Sequence, residues 1–257
     1  MRPVELELGV IAQAAGSARL HMGATDVIVG VKVEVGSPSQ GAPDQGRLQV
    51  TVEFSPCASP IYQGRFGETY GEQIAAAIEA SLAPGGRGGG SDASSSGCGI
   101  DLSKLLILRG KTCWMVFVDA LVLNDDGNVV TAVSAATLAA LRDTRIPKVE
   151  VVTDAAGEEE LELDDSPGSA WRLDVGGVPL VLTASQVGAQ CVVDLTAAEE
   201  RCATSGLHVA VNRAGQVCGV TMTGRKGIDS SMLLLMMETA QKLGPVLWEQ
   251  LMKFLTR

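Results

Sequence analysis

The segment NDDGNVVTAVSAATLAALRDTRIP, from Asn124 to Pro147, sets a tight turn directly before a helix of small residues. Asp125-Asp126-Gly127-Asn128 forms the turn, and the chain becomes helical near Thr131. A helix N-terminus carries free N–H groups and a partial positive charge, so such a terminus can hold phosphate. Here two carboxylates precede it, and no lysine or arginine comes after it until Arg142. Helix-end effects are worth only about 0.3–1 kcal/mol at exposed sites. Without a cation from this stretch, the terminus is not expected to be a phosphate site.

Other residues could do chemistry but have plainer uses. DAAGEEELELDD, at 154–165, holds seven carboxylates without the DxDxDG spacing of a calcium loop, so it reads as a solvated loop. Asp119 lies inside the apolar run CWMVFVDALVL and should find hydrogen-bond partners if buried. The six cysteines are scattered without a CxxC pair, and His21 and His208 lie far from them in sequence. Zinc and a disulfide framework are therefore not expected, and the thiols read as reduced, as in a nuclear or cytosolic protein.

Across 257 residues, hydrophobic types make up 46% and charged types 19%, with a mean hydropathy of +0.22. A substantial core is possible, and the low charge content hints at surface buried against partners. The net charge of −10 argues against gripping nucleic acid with the whole surface, though one basic loop on an acidic body is compatible with it. No signal peptide or membrane-spanning run is expected.

The elements can be read from periodicity. ARLHMGATDVIVGVKVEV, at 18–35, reads as two strands turning at Gly23, with Val27, Val29, Val31, Val33 and Val35 on one face. Arg47 to Phe54 and Cys113 to Leu123 read as strands, the latter central. Gly71 to Leu82 reads as a helix ended by Pro84. The Gly/Ser insertion at 84–99 reads as flexible. Further strands are expected at 148–152, 178–183, 190–195, 207–212 and 216–221, the last two joined by a hairpin tip at Arg213-Ala214-Gly215. A long helix starts near Asp229, and Pro245 should kink or restart it. NDDGNV and NRAGQV share N-x-x-G-x-V. This suggests one duplicated domain over 1–257, with halves at about 1–150 and 170–257.

Four ordered blocks carry a family resemblance. GSARLHMGATDVIVGVKVEVG, FVDALVLNDDGNVVTAVSAATLAALRDTRIPKV, CVVDLTAAEE and SMLLLMMETAQKLGPVL resemble the opening hairpin, central strand–turn–helix and second half of the ribonuclease PH family. DTRIPKV and MMETAQKLG resemble most the non-catalytic ring subunits of the eukaryotic RNA exosome, of the type related to the inactive archaeal partner. The resemblance implies an α+β fold of duplicated β-α-β type with mixed sheets and packed helices. It also implies a hetero-oligomeric ring with other ribonuclease PH-like subunits, S1/KH cap subunits, and single-stranded RNA in the channel. Relatives carry an N-terminal helical segment before the block that here begins at Arg2-Pro3.

For function, the resemblance implies supporting 3′-to-5′ RNA processing and decay, in rRNA maturation and mRNA turnover, in the nucleus, nucleolus and cytoplasm. Active members hold phosphate against an RNA phosphate with a Ser/Thr-Arg pair before the central helix. Asn128 and Val129 stand in that region here, so a catalytically inactive subunit without cofactor or metal is expected. Two catalytic aspartates six apart correspond to Asp194 and Glu200, which leaves the acidic pair degenerate. The alternative is a phosphate-dependent exoribonuclease with a shared active site. Arg65, in IYQGRFGETYGE, is an RNA-contact candidate or a solvated loop arginine. Arg225 and Lys226 are a second basic spot, also read as a turn or subunit contact.

Overall fold

The computed structural model describes residues 2–83, 99–153, 159–164, 166, 168–224 and 226–255. The Gly/Ser insertion, apart from Gly99, lies outside the described residues, as does Arg225. Strands β1 (Val4–Leu8), β2 (Gly16–Met22), β3 (Thr25–Gly36) and β4 (Arg47–Phe54) precede helix α1 (Arg65–Leu82). Strands β5 (Leu106–Leu108) and β6 (Thr112–Asn124) lead into α2 (Val129–Asp143). Next come β7 (Arg145–Ile146), β8 (Lys148–Thr153), β9 (Glu159–Asp164) and β10 (Trp171–Arg172). The last part holds β11 (Leu180–Val187), β12 (Gln190–Val193), α3 (Ala197–Glu200), β13 (Ser205–Val211), β14 (Val217–Gly224) and α4 (Ser230–Leu255).

One sheet runs β1-β2-β3-β6-β4, with β5 also on β6 and β4 the one parallel neighbour. A second runs β12-β11-β13-β14, all antiparallel. The alternation in β3 is why this works: Val27, Val29 and Val31 are fully buried and join Leu20 and Val118 in the core. Each fully buried Val or Leu stabilises the fold by roughly 1.5–3 kcal/mol.

Helix α2 is buried along Val129–Leu141, with contacts to β2 and β3 on one side and β11 on the other. Its alanines allow close approach; a Cβ on Gly16 would lie 2.6 Å from the Ala140 carbonyl oxygen. Two of its three small polar residues are used, Thr137 Oγ1 being buried without a partner. β12 pairs with β11 only from Ala184 onward. Earlier in β11, the Val181 N–H donates to Ser134 Oγ at 2.9 Å and the Thr183 N–H to Thr131 Oγ1 at 3.2 Å. Two hydroxyls on one helix face thus stand where a strand neighbour would.

Four expectations are corrected. Helix α1 begins at Arg65 rather than Gly71, because Gly67 and Gly71 are close-packing residues and not breakers. A Cβ on either would come within 2.3 Å of a carbonyl oxygen, of Tyr62 and Val52 respectively. Asp119 is exposed, on the sheet face away from α2, so it needs no buried partner. Helix α4 does not restart at Pro245 but continues through it, with Gly244 packed so closely on β13 that a Cβ would meet Val211 Cγ1 at 2.8 Å. Cys218 is disulfide-bonded, so the thiols are not all reduced. Among the described residues, no helix is long and apolar enough to cross a membrane.

Candidate functional site

The turn before α2 and the β12–α3 loop meet where the two sheets adjoin. Gly127 has a φ of 83°, and a Cβ there would strike the backbone of Leu195, Thr196 and Ala197 at 2.5–2.6 Å. Only glycine lets these segments touch. The Ala197 N–H then donates to the Asp126 carbonyl at 3.0 Å. The contact brings Asn128, Asp194 and Glu200 together across 66 to 72 residues of chain.

Asn128 and Asp194 are the two non-glycine residues with positive φ among the described residues, at 56° and 58°. Asn and Asp tolerate this region best, and such strain persists only where surroundings over-determine it. Asn128 is the N-cap of α2, but its side chain makes no cap. Its Nδ2 donates instead to Asp194 Oδ1 at 3.0 Å, and its Oδ1 is buried without a partner. Its backbone N–H donates to Glu200 Oε1 at 2.7 Å. The anion at this helix terminus is therefore a carboxylate of the same chain. Val129 comes next, buried and uncharged.

A cation does stand at this turn, supplied from far away in sequence and paired with Asp194. The Arg2 guanidinium donates to Asp194 Oδ1 through Nε at 3.1 Å and Nη2 at 2.9 Å. Nη1 donates to the Asp126 carbonyl at 2.8 Å, and Nη2 also faces the carbonyls of Gly127 and Leu195 at 3.2 and 3.3 Å. The Arg2 backbone N–H reaches Asp194 Oδ2 at 2.5 Å. Nε and Nη2 are fully taken up by oxygens of this chain, and Nη1 holds the Asp126 carbonyl with the Asp126 carboxylate 3.5 Å away. The residue was missed because its partners lie 124 to 193 positions away, and no local pattern marks it.

The two carboxyls respond in opposite directions. Burial opposes ionisation of Asp194, but the hydrogen bonds from Arg2 and Asn128 outweigh it and hold the carboxyl below its usual range. Burial dominates at Glu200, and the like charge of Asp125 adds to it, so its carboxyl is pushed up despite the Asn128 N–H. Glu199 caps α3 through Thr196. Both Asp194 oxygens are engaged by Arg2, which fits a guanidinium and not a metal ion. Among the described residues, no group of His, Cys, Asp and Glu is arranged to hold one.

Beside the site, Tyr62 Oη donates to Asp125 Oδ2, while Asp125 Oδ1 accepts the Gly127 N–H at 2.8 Å. Burial and this bond push the Tyr62 phenol well above its ordinary range. Tyr62 stacks on Phe54 at 4.1 Å between ring centroids, and Phe66 and Tyr70 extend the stack. Arg65 is the exposed first residue of α1 within this aromatic group, not a loop arginine. Lys226 is exposed, and among the described residues no ion pair or hydrogen bond joins it to this cluster. A cavity of about 730 Å³ between β4 and α1, lined by Arg47, Glu72, Ala75 and Phe117 among others, shares no residue with the cluster.

This constellation sits at the junction of two recognised sequence units. Residues 1–147 match the model "3′ exoribonuclease family, domain 1", and residues 177–242 match "3′ exoribonuclease family, domain 2". The chain belongs to the 3′ exoribonuclease family. It is 34% identical over 219 residues to "Exosome complex component Rrp42" of Methanopyrus kandleri, covering 85% of this chain and 75% of that protein. It is 29% identical to "Putative exosome complex exonuclease RRP42" of Dictyostelium discoideum, covering 95% and 86%. Among solved structures, it resembles a chain of the Archaeoglobus fulgidus exosome with RNA bound to the active site. The TM-score is 0.76 at 28% identity, over 97% of this chain and 88% of that one. A rice Rrp46 structure, at 15% identity and a TM-score of 0.66, shares the ribonuclease PH-like fold.

Proposed function

We propose that this chain is a catalytically inactive subunit of an RNA exosome ring, supporting 3′-to-5′ RNA processing and decay. Its family and its likeness to Rrp42 components and exosome core structures support the ring assignment. One observation carries the inactivity: the anion and the cation at the α2 terminus both belong to the chain itself. Glu200 takes the Asn128 N–H, and Arg2 is directed at Asp194 and three carbonyls. An attacking phosphate would have to displace both.

The same Arg2 also favours the alternative, a phosphate-dependent exoribonuclease with a shared active site, because a cation does lie beside the helix. Purified chain, alone and with its ring partners, separates the two when incubated with oligoadenylate with and without inorganic phosphate. Inactivity predicts that Asp194→Ala and Glu200→Ala leave any shortening unchanged. Phosphate-dependent shortening that either variant abolishes would overturn it.

In the assembled ring, the partners are other ribonuclease PH-like subunits, S1/KH cap subunits and single-stranded RNA in the channel. Arg65 contacts an RNA phosphate there, supported by the exposed ring of Phe66, since aromatic faces beside cations suit single strands. Crosslinking that finds no contact around 62–68 would remove this. The ring works in the nucleus, nucleolus and cytoplasm, on rRNA maturation and mRNA turnover. A fluorescently tagged chain excluded from the nucleolus would contradict this placement.

A further inference from the structure

Arg2, Arg19 and Arg109 each have a carboxylate partner within 3 Å. Arg145 and Arg172 do not: among the described residues, neither has an ion-pair partner. Both are exposed, and they stand directly opposite each other in the β7–β10 ribbon. Directly opposed residues of an antiparallel pair project to the same face, with Cβ atoms about 5 Å apart. Like charges so placed destabilise a sheet.

The ribbon cannot relieve this by slipping. Its other pair is Trp171 against Ile146, and Ile146 is fully buried, so a one-residue shift would expose a core side chain. Arg145 comes directly after the Thr144 cap of α2, where the negative end of a helix favours a cation. That accounts for one of the two charges. Arg172 sits on a separate strand with no such support.

We propose that Arg145 and Arg172 form a docking point for a carboxylate side chain of a partner polypeptide, a neighbouring subunit in the ring. The proposal rests on the assembly proposed above. Guanidinium groups bind carboxylates through paired, charge-assisted hydrogen bonds, and two side by side suit one acidic residue or two adjacent ones. RNA fits less well. The chain carries a net charge of −10, and seven carboxylates lie between Asp154 and Asp165, just after β8 in sequence. A polyanion meets the repulsion of that net charge along its whole length, screened over a Debye length of about 8 Å. A single acidic anchor on an otherwise uncharged segment meets far less of it.

The test reconstitutes the chain with its exosome ring partners and measures assembly by native mass spectrometry and sedimentation. Arg145→Glu/Arg172→Glu should weaken assembly roughly tenfold or more, most at low salt, with Arg145→Lys/Arg172→Lys between it and the unaltered chain. Both positions are exposed, and Arg172→Gln relieves a repulsion, so its melting midpoint should be unchanged or higher. Equal assembly of the charge-reversed and unaltered chains would overturn the proposal and leave the ring assignment standing. Failure of the unaltered chain to assemble would overturn both. Unchanged assembly with lost binding to labelled oligoadenylate would make the pair an RNA contact and overturn the carboxylate assignment.

Discussion

Two turns in this molecule are spelled alike, NDDGNV at 124–129 and NRAGQV at 212–217, and they do different work. Both place glycine at positive φ, 83° at Gly127 and 79° at Gly215. In the second, Asn212 Oδ1 accepts the N–H groups of Ala214 and Gln216, and the chain returns as β14 in a self-contained hairpin. In the first, Asn124 reaches across to the Ala24 carbonyl, and the turn feeds a buried helix. Gly127 is wedged against another backbone, whereas the nearest neighbours of a Cβ on Gly215 lie at 3.6 Å. A short motif fixes the local bend. The residues downstream of the motif decide the rest: small helix formers after Asn128, alternating strand residues after Gln216.

The sharpest break in this contrast comes from alanine at the two glycines. Gly127→Ala must both strain φ and force two backbones apart, so it should cost about 4 kcal/mol or prevent folding. Gly215→Ala strains φ alone and should cost about 1 kcal/mol. Denaturant unfolding of the two variants tests this, and similar losses would mean the wedge is not real.

Arg2→Met comes next. It strands a buried carboxylate and should cost about 3 kcal/mol. Arg213, which lies over the Trp248 ring beside the other turn, should lose about 1 kcal/mol on the same change. Thermal unfolding orders the two.

pH separates the two carboxyls at the first turn. Asp194 is held below its usual value, so its stabilising effect is present above about pH 4 and is lost as pH falls through its depressed value. Asp194→Asn should therefore destabilise at neutral pH and flatten that acid limb. Glu200 is raised, so ionising it penalises the fold once pH rises through its raised value. Glu200→Gln keeps an acceptor for the Asn128 N–H and should leave neutral-pH stability equal or higher. Matching signs for the two variants would refute the opposed environments. Asn212→Ala, which loses the turn's side-chain hydrogen bonds, should cost about 1 kcal/mol, read from the same melts.

Much of the architecture was legible because burial imposes periodicity. The valines of β3, the apolar run of β6 and the small residues of α2 each announce their element. Helix α1 was clipped because Gly67 and Gly71 spell flexibility in sequence while serving close packing in space. The short strands β7 and β10 carry two residues each, too few for any period to register. At the candidate site, Asn128, Asp194 and Glu200 were found through family resemblance, and the structure brings them together. Arg2 escaped because a long-range ion pair leaves no trace along the chain. The place of Arg65 at a helix start, and the aromatic stack around it, likewise depend on a fold through Asp125 that no spacing encodes.

The hydroxyls of Thr131 and Ser134 have a kinetic consequence. Because they receive the amide protons of Val181 and Thr183, those two protons answer to α2 and not to the sheet that contains them. The edge of β11 before Ala184 is therefore completed by α2 and not by a strand. In hydrogen–deuterium exchange, these amides should open at the rate at which the molecule parts along that helix, making them a clock for the separation of its two layers.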